Sequence, residues 1–177
     1  MIARPAAPNR RRARPARAAR FSIRRGTSGD VPIILRMIQG LAEYERLSDQ
    51  VKATAARIRR HGFGRPRYFE TLICRRQSRA VGFALYFFTY STFLAQPSLY
   101  LEDLFVLPEE RGNGAGQALL RALAQTAVRR GCGRLEWTVL DWNRSAIRFY
   151  EGLGARLHKE WILTRLTGPS LERLARG

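Results

Sequence analysis

Lysine is almost missing from this chain. Of 32 basic residues among 177, only Lys52 and Lys159 are lysines, against 14 acids, for a formal charge of +18. So lopsided a use of arginine reads as a coding bias before it reads as a designed nucleic-acid groove, and a basic surface of this kind implies only weak, salt-dependent attraction to polyanions. Cysteine is scarce as well. Cys74 and Cys132 lack metal-ligand spacing and lie in unlike predicted elements, so a disulfide framework and a thiolate metal site are both excluded; free thiols in a reducing compartment, the cytoplasm, are expected. The two histidines, His61 and His158, are far apart and neither is given a catalytic role, and no metal is implied. No run approaches the roughly 20 apolar residues of a membrane span, and no apolar leader precedes the first strand. What is present is 45% hydrophobic residues, enough for the core of one domain.

Residues 1–20 stand apart, with seven arginines, three prolines, no acid and no aromatic. Such a segment buries too little apolar surface to offset its ordering entropy, and a disordered tail is expected before a domain spanning 21–177. It could be a plain solvated extension, an organelle transit peptide or a nucleic-acid arm. The absence of serine and threonine speaks against the transit peptide.

The domain's periodicity gives a mixed order of strands and helices. A short strand is predicted at Phe21–Arg24, then a helix entered through Ser28-Gly29-Asp30 with Pro32 just inside it, apolar on one face to about Arg46. A weaker helix follows over Ala53–Arg60, then strands over Tyr68–Cys74 and Ala80–Thr89, joined near Arg75–Arg79. Beyond the central strand, Tyr100–Leu107, come a helix to Val128, a strand at Arg134–Leu140 and a helix at Asn143–Gly152. A last strand, Trp161–Leu166, and a helical turn over Ser170–Arg176 close the chain. This is an α/β domain with a mixed, largely antiparallel sheet flanked by helices.

The most informative stretch runs from Tyr100 to Val128. A buried strand carrying two acids, Glu102 and Asp103, ends at Pro108 and leads through Gly112-Asn113-Gly114-Ala115-Gly116 into a helix. Strand, glycine-rich turn and helix aim backbone N–H groups and a helix dipole at one anion. It is not a P-loop, since Gln117-Ala118 stands where Lys-Ser/Thr is needed, and not a dinucleotide turn, whose third glycine is missing at Gln117. With no lysine and no metal ligand, the turn suits a pyrophosphate that is held rather than cleaved.

Arg111-Gly112-Asn113-Gly114-Ala115-Gly116 resembles the acetyl-CoA pyrophosphate loop of the GNAT N-acetyltransferase superfamily. Asp141-Trp142-Asn143-Arg144-Ser145-Ala146-Ile147-Arg148-Phe149-Tyr150, with Gly154-Ala155, resembles its asparagine-to-tyrosine helix. Leu41-Ala42-Glu43-Tyr44-Glu45, Gly62-Phe63-Gly64, Val81-Gly82-Phe83-Ala84, Phe88-Thr89-Tyr90 and Tyr100-Leu101-Glu102-Asp103 are similar to its diamine acetyltransferase branch. Ser48-Asp49-Gln50-Val51, Tyr90-Ser91-Thr92 and Val139-Leu140-Asp141-Trp142-Asn143 resemble the thialysine N-ε-acetyltransferases within it.

The resemblance covers roughly residues 21–166 and implies a homodimeric enzyme that moves acetyl from acetyl-CoA directly to a primary amine. It implies cofactor contacts from main chain at Leu104, Phe105 and Val106, from Arg111, Gly112, Asn113, Gly114, Ala115, Gly116 and Gln117, and from Asn143, Ser145 and Ala146. A strand bulge is implied near Leu104–Val106. Tyr44, Glu45, Glu102, Asp103, Glu136, Trp137, Thr138 and Glu160 are the implied substrate-side residues. Tyr44 and Glu45 read equally as the end of an amphipathic helix. Glu102 is the expected proton acceptor, although its pattern also fits a solvent-facing strand acid. On a regular strand Asp103 faces the opposite way. Tyr150, expected to return a proton to the leaving thiolate, reads equally as a core aromatic.

Polyamine-specific members carry an aspartate just after Phe-Thr-Tyr, where this chain has Ser91-Thr92-Phe93. One acid fewer favours a small lysine-like amino acid over spermidine or spermine. A polyamine acetyltransferase is the alternative, and a non-catalytic, nucleic-acid-associated acetyl-CoA binder a third possibility.

Overall fold

A computed structural model describes residues 21–177, so the expected N-terminal tail lies outside the described residues. The chain divides into two compact units, the first ending at Trp137 and the second spanning Thr138–Gly177.

The first unit is a five-stranded sheet with strands in sequence order: β1 (Ser22–Arg25), β2 (Glu70–Arg76), β3 (Arg79–Ser91), β4 (Gln96–Val106) and β5 (Arg134–Trp137). Neighbours run antiparallel except β4 and β5, which are parallel. This is the largely antiparallel, helix-flanked α/β arrangement that the sequence predicts. Three helices belong to the unit: α1 (Val31–Glu45), α2 (Ala55–Phe63) and α3 (Ala115–Arg129).

Helix α1 starts where its sequence says it should. The buried Asp30 carboxylate accepts from Thr27 N and Thr27 Oγ1, each at 2.8 Å, and pairs with Arg24 at 2.6 Å. The hydrogen-bonded Arg24 guanidinium holds the Asp30 carboxyl far below its ordinary range. The apolar face of α1, through Val31, Ile34 and Met37, packs with Ile73, Phe83, Leu85 and Phe105 from one face of the sheet. The opposite face takes α3, where Leu119, Leu120, Leu123 and Ala127 are buried. Val128, at the end of the predicted helix, is 79% exposed, and Thr126 is buried, its hydroxyl donating to the Ala122 carbonyl at 2.8 Å. One turn's periodicity tolerates a hydroxyl that bonds back to its own helix.

Strand β5 is shorter than expected, stopping at Trp137 instead of Leu140. Its pairing with β4 also ends there, at Leu101↔Trp137. Both free thiols lie in this unit, and Cys74 is fully buried, which pushes its thiol up to about 11.

The second unit holds α4 (Arg144–Glu151) and α5 (Gly168–Arg176). The strand expected at Trp161–Leu166 does not form. Its apolar residues are open to solvent, Trp161 at 75% and Ile162 at 85%. A strand needs a neighbour to satisfy its N–H and C=O groups, and no pairing reaches this segment among the described residues.

Candidate active site

A single extra residue shapes the site. Leu85 pairs with Asp103 and Tyr86 with Leu101, so Glu102 is left over as a bulge in β4. The bulge falls at Glu102 rather than near Leu104–Val106, where it was expected. It has two consequences. First, β4 parts from β5 immediately after Leu101, leaving the far half of its β5-facing edge unpaired. Second, it resets the alternation of side chains, so Asp103 shares a face with Leu85, Phe105 and α1. The regular-strand expectation for Asp103 is therefore replaced by the bulged one.

The open edge of β4 has defined donors. Leu107 N donates to Val81 O at 2.9 Å across the β3 ladder. Alternation then turns the amides of Asp103 and Phe105 towards β3, and those of Leu104 and Val106 towards the opening. The Phe105 ring is buried in the core. The Val106 carbonyl, on the same edge, accepts from Arg111 Nε at 3.0 Å.

Three carboxylates meet beside this edge. Burial, with Glu102 and Glu45 near it, pushes the Asp103 carboxyl up to about 7. Burial also raises Glu45, at the end of α1. Glu102 is exposed on the bulge. Like charges in a poorly solvated corner cannot all ionise freely, and the strain falls on the least solvated member. The sequence made Glu102 the expected proton acceptor, and in the structure its neighbour Asp103 has the raised carboxyl. The signal that could have found it is the bulge, which a hydrophobic pattern does not encode.

The glycine turn is built as its chemistry requires. Gly112 and Gly114 both take left-handed backbone angles, φ +71° and +93°, and a Cβ on either would meet nothing within 4 Å. The turn is thus shaped by backbone need and opens onto free space that a ligand can enter. Gly114 caps α3 without a side-chain hydrogen bond, so the first-turn amides of Ala115, Gly116 and Gln117 are capped by no side chain of their N-cap residue. These observations fit a bound diphosphate. The Arg111 guanidinium stacks 4.4 Å from the Tyr44 ring centroid and 5.5 Å from that of Phe105.

Of the remaining sequence-predicted residues, Glu136 and Trp137 lie on β5 of the first unit, opposite Tyr100 and Leu101. Thr138, Asn143, Ser145, Ala146, Tyr150 and Glu160 belong to the second unit. There Asn143 caps α4, its Oδ1 accepting from Ala146 N at 3.2 Å and from Ser145 Oγ at 3.1 Å. Tyr150 is buried on α4. Glu160 is exposed and paired with His158 at 2.8 Å, a partner that the sequence did not suggest. Among the described residues no cluster of three metal-ligating side chains occurs, and no helix is long and apolar enough to cross a membrane.

The acetyltransferase (GNAT) family profile matches residues 35–155. The chain is 41% identical to pig (Sus scrofa) thialysine N-epsilon-acetyltransferase over 164 residues, 86% of this chain and 96% of that protein. It belongs to the GNAT acetyltransferase family. This GNAT chain is also 50% identical over 93 residues to the L-ornithine N5-acetyltransferase of Arabidopsis thaliana, a match to 52% of this chain and 41% of that protein. Among solved structures, an integron cassette protein from the mobile metagenome of V. cholerae superposes with a TM-score of 0.76 at 25% identity, covering 90% of this chain and 100% of that one. As a GNAT protein it is an N-acetyltransferase, an enzyme that transfers acetyl to an amine.

Proposed function

We propose that this acetyltransferase uses acetyl-CoA to acetylate the side-chain amine of a small lysine-like amino acid. One observation carries the proposal: the Glu102 bulge opens the β4 edge between a three-carboxylate corner and a glycine turn with open left-handed positions. Acetyl-CoA, when bound, supplies an acetyl group activated as a thioester. The turn amides from Gly112 to Gln117 and the dipole of α3 hold its diphosphate. The Leu104 and Val106 amides would bond its arm and stabilise an oxyanion. Phe105 contributes through packing, and Asn143, Ser145 and Ala146 supply the start of α4.

The substrate amine arrives as an ammonium and must lose a proton before it attacks. The Glu102–Asp103 pair receives it. Asp103, titrating near 7, is the member matched to accept a proton at neutral pH, and exposed Glu102 passes it to solvent. Tyr150 is the proposed donor to the departing sulfur. Amine attack on the thioester is direct, so no acyl-enzyme is needed. The names of the pig and Arabidopsis relatives, acting on thialysine and on ornithine, support an amino acid as acceptor.

The enzyme is further proposed to act as a cytoplasmic homodimer. The exposed Trp161, Ile162, Leu163 and Leu166 support this, being an apolar segment that has no strand partner among the described residues.

Thiol release from acetyl-CoA with thialysine, lysine and spermidine tests the reading. Turnover should favour the amino acids, and Asp103→Asn and Glu102→Gln should each lower kcat by ten-fold or more. A large preference for spermidine, or full activity in both variants, would overturn it.

A further inference from the structure

The sheet face that carries Asp103 continues along β4 and β5 through polar residues of which the resemblance implies only Glu136 on the substrate side, without a role. In register, Asp103 and Tyr100 lie opposite Leu85 and Phe87, so their backbones are two strand residues apart, roughly 7 Å. Tyr100 in turn pairs with Glu136 one strand further, and Ser98 with Arg134. Ser98, Tyr100, Arg134 and Glu136 therefore share the Asp103 face. Arg134 Nε donates to Ser98 Oγ at 3.1 Å and lies 2.9 Å from Glu136 Oε2. Both of these contacts are made by Nε. Next to Ser98 in register is Thr89, whose buried Oγ1 has no hydrogen-bond partner. A buried hydroxyl without a partner is costly in a finished core and marks a place where a polar ligand atom completes the bonding.

We propose that Arg134 and Glu136 read the zwitterionic head of an α-amino-acid substrate. Arg134 takes the α-carboxylate, Glu136 takes the α-ammonium, and the side-chain amine reaches Asp103. A guanidinium fork suits a carboxylate. The diagonal from Asp103 to Glu136, about 8 Å between backbones, suits a four-atom side chain with a hydrogen bond at each end. Arg134 also works by exclusion: a polyamine brings no anion to meet its fixed positive charge, so it is rejected where an amino acid is accepted. The inference rests on the acetyl-transfer reading and assigns the residues that would read the head group of its amino-acid substrate.

The test uses three acceptors that differ only in the head: lysine, cadaverine (lysine without the carboxylate) and 6-aminohexanoate (lysine without the α-amine). kcat/KM is measured for each with the full-length enzyme and with Arg134→Gln and Glu136→Gln. The unaltered enzyme should favour lysine over both analogues by about ten-fold or more. Arg134→Gln should abolish the preference over cadaverine only, and Glu136→Gln the preference over 6-aminohexanoate only. Equal losses on all three acceptors would mean a merely structural pair, and unchanged ratios would mean a pair that does not touch substrate; either overturns the proposal. Because ratios are compared within one preparation, partial misfolding of a variant cancels. Strong turnover of cadaverine over lysine by the unaltered enzyme sinks the head-group inference alone. No turnover of any amine removes the acetyl-transfer reading and the inference with it.

Discussion

Asp103→Asn should make the protein more stable, and only above a defined pH. The Asp103 carboxyl moves from 3.8 to about 7 on folding, chiefly through burial and secondarily through Glu102 and Glu45. Below 3.8 it is protonated in both states and contributes nothing. Between 3.8 and about 7 only the unfolded chain ionises, so the native state binds more protons and loses stability as pH rises. Above 7 both states are ionised and the loss levels off. At 1.36 kcal/mol per pH unit the full span is about 4 kcal/mol, a ceiling, because exposed Glu102 contributes through solvent that screens it. Asparagine keeps the shape and removes the charge. The variant should therefore gain about 2–4 kcal/mol on the unaltered protein at pH 9, with the gain fading through pH 7 and vanishing near pH 4. Urea unfolding of both proteins at one-unit intervals from pH 4 to 9 measures this difference, and subtraction removes most of what Glu45 contributes to both. A difference that stays flat from pH 5 to 9 would refute the buried-acid account, whatever the variant does to turnover.

Glu45→Gln removes one of the charges that raise Asp103, so the acidic limb of the kcat/KM profile should move to lower pH; a limb that stays fixed means that another group titrates there. Gly114→Ala forces a Cβ into φ +93°, which should cost about 1–2 kcal/mol in stability and weaken acetyl-CoA binding, read by thermal unfolding and by calorimetry. Asp30→Asn breaks the Arg24 pair and the Thr27 bonds at the entry to α1. It should destabilise by about 2–3 kcal/mol near pH 7, a modest figure because Arg24 is half exposed. Since the folded carboxyl is depressed, that loss should shrink as pH falls below 3.8, and chemical denaturation at pH 7 and pH 3 separates the two cases. Tyr150→Phe should lower kcat by ten-fold or more while leaving acetyl-CoA affinity unchanged, and unaltered turnover would remove the proposed acid.

The sequence by itself determined the features whose causes are local. A strand stopped by Pro108, glycines at 112 and 114 and an apolar stripe from Ala115 leave few conformations other than strand, anion turn and helix. Asp30 with Pro32 fixed the entry to α1 in the same way. Only the tertiary structure decided the rest. Whether Glu102 or Asp103 is the less exposed acid depends on one unpaired residue in β4, and that depends on registers set with β3 and β5 at once. Whether Arg134 and Glu136 stand on the Asp103 face follows from the same bulge, through Tyr100. Trp161–Leu166 has the composition of a strand, but a strand exists only where a neighbour meets its backbone, and no residue within the segment can supply one.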